Sequence, residues 1–151
     1  MALTHTNAVR YRYTAGGGLN EKEVTRTVTG GAETNVSETL TVTLGTTTAQ
    51  DITGFDFVDA SSAISVYMMV DGYASGVSLY ANGTGGTLMA TLEDGVPYVW
   101  TSGTTNFPPG QTNPMVNSTA KITALPSGAG SAAEQTVNVN VKVLYDPIPL
   151  S

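Results

Sequence analysis

Cysteine is absent from this 151-residue chain, histidine and tryptophan occur once each, and only 12% of residues are charged. Each scarcity excludes something. Without cysteine there is neither a disulfide framework nor a thiolate metal site. His5 is the single histidine and lies close to the N-terminus, so a Ser-His-Asp or Cys-His catalytic arrangement is not expected. No apolar run approaches the roughly 18 residues of a membrane span. The opening stretch Met1–Asn7 lacks the charged and apolar regions of a secretory signal, so the expectation is a soluble protein made in the cytoplasm. Phosphate-cradling, nucleophile-elbow and zinc-protease motifs are missing, and no loop concentrates the acids that calcium requires. The sequence therefore predicts a non-enzymatic protein with no cofactor and no metal.

What the chain does have is alternation. From Thr136 to Tyr145, Val137, Val139, Val141, Val143 and Tyr145 share one parity, while Thr136, Asn138, Asn140 and Lys142 share the other. A strand turns successive side chains to opposite faces, so this run has a β-branched core face and a wet face. At 3.6 residues per turn a helix would scatter the same valines around its whole circumference. Thr, Ser, Asn and Gly supply the polarity that charge does not, and Thr suits a half-exposed pleated surface. A surface of this kind also suits assembly, because each charge buried at a contact must be desolvated or paired.

Taken in order, residues 1–20 read as an extended arm. Val9, Tyr11 and Tyr13 lie on one side and Arg10 and Arg12 on the other, with Gly16-Gly17-Gly18 as a flexible joint. The alternative is an ordinary first strand on its own sheet. Residues 21–145 read as one domain of about nine short strands. Runs at Glu23–Thr29 and Val36–Leu44 suggest a hairpin through Gly30-Gly31. A short strand is expected at Ile52–Val58, with Phe55 and Phe57 on one face. Ala63–Val70 is apolar on both faces, as a central strand or a strand covered by another subunit would be. Strands at Val77–Ala81, Thr87–Leu92 and Val96–Thr101 follow, and Glu93-Asp94-Gly95 between the last two is the strongest local hairpin signal. Residues 102–118 form a long loop, Lys121–Leu125 a strand, and Thr136–Tyr145 the closing strand. Residues 146–151 form a stiff tail, because Pro147 and Pro149 forbid a regular ladder. Strands so spaced predict an all-β single domain, a β-sandwich, jelly roll or barrel, with an extended N-terminal arm.

The net charge of −6 is unevenly spread. Residues 1–20 carry two arginines and no acid, and residues 27–151 carry ten acids against Lys121 and Lys142. An acidic body argues against nucleic acid as the main partner. Arg10, Tyr11, Arg12 and Tyr13 interleave basic and aromatic groups, which suits docking on a protein more than the thin footprint two arginines offer a nucleic acid. Tyr98 and Trp100 share a strand face and, if exposed, could stack on a sugar ring; the plainer reading makes Trp100 core. Asp56, Asp59, Glu93 and Asp94 are the candidates for a glycosidase-type carboxylate pair, and the last two are explained by their turn. Asn35, Asn82 and Asn117 head glycosylation-type triplets that a Thr-rich chain produces by chance.

In style this cysteine-free, Thr/Gly/Ala-rich β chain, with its N-terminal arm and its closing Val-x-Val-x-Val-x-Val-Leu-Tyr-Asp-Pro, resembles the small virion proteins of tailed bacteriophages. Among them it is most similar to the capsid decoration (cement) proteins. The resemblance implies a structural protein on the capsid exterior that binds the major capsid protein, often as a homotrimer, commonly through a terminal arm. Here that arm would be Arg10, Tyr11, Arg12 and Tyr13. The alternative is a tail-fibre tip or carbohydrate-binding module using Tyr98 and Trp100 as its platform.

Overall fold

The computed structural model describes residues 1–42, 48–53, 62–73, 75–102, 112–115, 121–127 and 135–146. Among them are ten strands and no α-helix: β1 (Leu3–Ala15), β2 (Gly18–Gly30), β3 (Ala32–Val42), β4 (Gln50–Ile52), β5 (Ala63–Asp71), β6 (Val77–Ala81), β7 (Thr87–Leu92), β8 (Tyr98–Thr101), β9 (Ile122–Pro126) and β10 (Gln135–Tyr145). β1 and β2 form a two-stranded ribbon. The other eight form two four-stranded sheets, ordered β3-β10-β5-β8 and β4-β9-β6-β7.

The pairings are nested. β3 pairs with β10, β4 with β9, β5 with β8 and β6 with β7, all antiparallel. Strands β3 to β10 thus lie as one long doubled ribbon, folded back at residues 82–86 and rolled into two facing sheets. Pairing of β10 with β5 and of β6 with β9 closes the roll. This is the strand order of a jelly roll, one of the ways an antiparallel chain limits its open edges. The expected all-β sandwich is the fold, and among the described residues no barrel closes.

β10 lies inside its sheet, with β3 on one edge and β5 on the other, and turns its valine face to the core. Val137, Val139, Val141 and Val143 are all fully buried, and Val141 lies between Val36 of β3 and Met68 of β5. Val66, Met68 and Val70 continue this layer, and Ile52, Val77, Leu79, Leu92, Ile122 and Ala124 face it from the second sheet in one core. β5 is therefore the central strand that its two apolar faces suggested. Leu144, the break in the alternation, is also fully buried, on the face opposite the valines. Gly30 sits over it: a Cβ on Gly30 would come within 2.9 Å of Leu144 Cγ and 3.1 Å of Ile64 Cδ1.

Three local expectations are corrected. The hairpin through Gly30-Gly31 does not form, because β2 pairs with β1 and β3 with β10. Gly30-Gly31 instead hands the chain from ribbon to sandwich, anchored where Gly31 N donates to Tyr145 O (3.1 Å) and to the Asp146 carboxylate (2.9 Å). Asp94-Gly95 is no hairpin turn either, since β7 and β8 belong to different sheets. There Gly95 N donates to Val70 O (2.8 Å), and the Asp94 carboxylate accepts from the backbone N–H of Gly72 and Tyr73, clamping one crossing between sheets to another. Finally, residues 1–20 are not an arm by themselves. They are one strand and the turn of a ribbon whose other strand runs to Gly30, and the three glycines lie at its far end.

Several expectations fall outside the described residues: the strand positions Phe55 and Phe57, the acids Asp56 and Asp59, Asn117, most of the 102–118 loop, and the tail from Pro147.

Candidate functional site: the overhanging ribbon

The β1–β2 ladder runs without interruption from Leu3 opposite Gly30 to Ala15 opposite Gly18. Its two-residue turn is Gly16-Gly17, with φ of +60° and +80°. Positive φ at both central positions is what a type I′ turn demands and what glycine supplies without steric cost. Thirteen residues per strand give a ribbon roughly 40 Å long at about 3.3 Å per residue.

One ribbon face is dry. In register it carries Leu3 with Gly30, His5 with Val28, Asn7 with Arg26, Val9 with Val24, Tyr11 with Lys22 and Tyr13 with Asn20. The first three rungs rest on the molecule's own body. His5 Nε2 lies 2.7 Å from Glu33 Oε2, Asn7 Nδ2 donates to Ser65 Oγ (3.4 Å), and Arg26 Nη2 donates to Ser102 O (2.8 Å). The outer three rungs overhang. Val9, Tyr11, Tyr13 and Val24 are 45%, 64%, 47% and 46% exposed, and the two tyrosine rings stand 5.4 Å apart. With each aromatic side chain offering on the order of 150–250 Å², the overhang presents an apolar strip of about 300 Å².

The opposite face is wet. Threonines line its base, and Arg10 lies 2.7 Å from Glu23, while Arg12 Nε donates to Glu21. Exposed pairs of this kind contribute roughly 0.2–1 kcal/mol each, enough to help hold the two strands together. So the structure separates what the sequence interleaves: Tyr11 and Tyr13 face outward on the dry side, and Arg10 and Arg12 are neutralised within the ribbon on the other. The sequence could not assign those arginines to Glu21 and Glu23, because that pairing depends on a turn at Gly16-Gly17 that reads equally well as a joint.

At the ribbon's base a cleft of about 690 Å³ opens between strand β1 and the β7–β8 corner, bounded by Val9, Tyr67, Glu93, Val96, Pro97 and Tyr98 among others. Val96 is half exposed within it. No local pattern in the chain signals this cleft, whose walls come from three separated stretches, at residues 6–9, at Tyr67 and within residues 91–99.

Tyr98 and Trp100 do share a face, paired with Met68 and Val66 of β5. Trp100 is only 6% exposed and belongs to the core, with Tyr98 packed against it. The Tyr98 hydroxyl donates to Thr112 O (2.7 Å), and burial raises its pKa above the usual phenol value. A stacking platform needs open ring faces, and the indole offers none. Among the described residues no three of His, Cys, Asp or Glu come together as a metal site. Glu93 lines the cleft, whereas Asp94 is engaged by two backbone amides, so the two acids do not work as a pair.

No family model matches this chain, and no curated protein matches it. One solved structure, described as "Bacillus endospore appendages form a novel family of disulfide-linked pili", is similar at 17% identity over 77% of this chain and 93% of that one, with a TM-score of 0.33. A likeness at that level carries no argument about this chain.

Proposed function

We propose that this chain is a structural, non-catalytic subunit that decorates the exterior of a bacteriophage capsid, and that the overhanging half of the β1–β2 ribbon ties it into the outer layer of the shell. One observation carries the reading: a regular ribbon whose dry face is covered at its base and bare beyond it. An isolated two-stranded ribbon is marginal in water, and an apolar strip of this size, ordinary in area for a monomer, is often where a monomer makes its contacts. A contact partner accounts for both. The bacteriophage context comes from the resemblance of the whole chain, and the major capsid protein is the shell component that the decoration layer covers. Weak contacts repeated over a shell make attachment effectively tight.

The test removes the overhang and keeps the base. Residues 10–23 are replaced by Asn-Gly, which joins the register partners Val9 and Val24 through a type I′ turn. The clipped protein should fold normally by circular dichroism. Incubated with capsids that lack the protein, the full chain should co-sediment at a fixed copy number and the clipped chain should not. Failure of the full chain to bind any capsid would overturn the proposal, and full binding by the clipped chain would remove the ribbon from it.

A further inference from the structure

We infer that the neighbour met by the overhanging ribbon is a second copy of this chain, whose basal cleft receives Tyr11 and Tyr13. This rests on the attachment reading above and names its partner. The decoration layer is then built of linked copies, and the capsid is bound by the linked assembly.

Four observations converge on a second copy. The cleft is of the right kind and size. Its volume of about 690 Å³ falls within the roughly 300–1,000 Å³ of sites that seat compact guests, and uncovered Val9 and Val96 give it apolar walls. Charge is complementary. Lys22 stands opposite Tyr11 on the dry face and takes no part in the ion pairs of Arg10 and Arg12 with Glu21 and Glu23; Glu93 stands in the cleft and forms no ion pair among the described residues. The wider pattern agrees, since residues 1–30 are net positive and the rest of the chain is strongly acidic.

The third observation is reach. The ladder is unbroken to its tip, so Tyr11 and Tyr13 lie beyond Val9, directed away from the cleft that Val9 borders. A copy cannot place its own tyrosines there without tearing its ribbon apart. The fourth is continuity. Val9 belongs both to the cleft and to the bare strip, so a guest ribbon seated in the cleft lies along the host's own dry face, and one contact covers both uncovered surfaces. Reciprocal seating closes a pair, and head-to-tail seating closes a ring.

The cysteine-free background makes the test direct. Copies carrying Tyr11→Cys are mixed with copies carrying Val96→Cys under mild oxidation, so that only contact between molecules can form the bond. The mixed disulfide should accumulate at least tenfold faster than in a mixture of Leu19→Cys and Val96→Cys, because Leu19 is highly exposed but lies on the wet face. Equal rates, or no mixed species, would overturn the inference. Glu93→Lys should weaken self-association several-fold by analytical ultracentrifugation, and adding Lys22→Glu should restore it; an assembly indifferent to Glu93→Lys, or a full-length chain monomeric at 100 μM or so, would equally overturn it. Capsid co-sedimentation separates the two readings. Specific cross-linking without capsid binding sinks the capsid reading alone, and capsid binding by a monomer sinks this one alone.

Discussion

Val141→Ala, set against Asn140→Ala, tests the register on which the whole roll depends. Val141 is fully buried at the middle of β10, clamped by β3 on one side and β5 on the other, with Val36 and Met68 as its cross-strand neighbours. The substitution removes two methyl groups, worth about 1.6 kcal/mol in transfer free energy at about 0.8 per group. A strand held on both edges cannot move in to fill the space, so a cavity of roughly 40–50 Å³ adds about 1 kcal/mol more. The expected loss is about 2.5 kcal/mol, a large fraction of the roughly 5–15 kcal/mol that stabilises a domain, and a fall in Tm of about 5–10 °C. Asn140 is the next residue and points to the other face, opposite Ser37 and Met69, so Asn140→Ala should cost no more than about 0.5 kcal/mol. Urea titrations followed by circular dichroism measure both, with an unchanged m-value as the sign that only stability has altered. Equal losses at the two positions would mean that the strand is not seated as described. Val141→Asp goes further and should abolish folding, because an unpaired carboxylate there costs several kcal/mol.

Three further outcomes are expected. Asn140→Asp should be tolerated, and Asn138→Asp should cost up to about 1 kcal/mol in urea titration, since Asp71 lies directly across the ladder from Asn138. Arg10→Glu combined with Arg12→Glu sets four carboxylates against one another on the wet face; hydrogen exchange should then show lost amide protection over residues 9–24, while the jelly roll melts unchanged. Asp51 is held below the usual carboxylate range by hydrogen bonds, first from Lys121 Nζ (2.7 Å) and then from Thr123 Oγ1 (2.6 Å). Its contribution is present above the unfolded pKa of about 3.9 and is lost as pH falls through the lowered folded value, so Asp51→Asn should be slightly less stable than the parent at pH 7, and the two should converge in acid.

The ribbon also bears on how a solitary two-stranded element stays ordered. Its proximal rungs are held by packing, with Gly30 against Leu144 and Ile64 leaving no room for a side chain. Its distal rungs have the ladder, the wet-face ion pairs, the Tyr11–Tyr13 ring contact and the Gly16-Gly17 turn. Gly30→Val should therefore lift the base from the sheet and cost about 1–3 kcal/mol, seen as faster exchange of the amides of residues 3–8.

Period-two alternation is a local property, and it determined by itself that the chain is all-β and which parity of β10 faces the core. Those readings need only the geometry of one strand and the tendency of apolar surface to leave water. Turn residues are local too, but they say that a chain reverses without saying which strand it meets next. Asp94-Gly95 and Gly30-Gly31 therefore read as hairpins, although the partners of β3, β7 and β8 lie in β10, β6 and β5. In a jelly roll most pairings join distant segments, and only burial of the complete core selects among them. The same holds for the candidate site. The sequence showed Tyr11 and Tyr13 opposite Arg10 and Arg12, but Glu21 and Glu23 neutralise those arginines only because β2 returns along β1. The tyrosines are left bare only because the ribbon is longer than the sheet beneath it, a difference in length between two elements that no stretch of sequence contains.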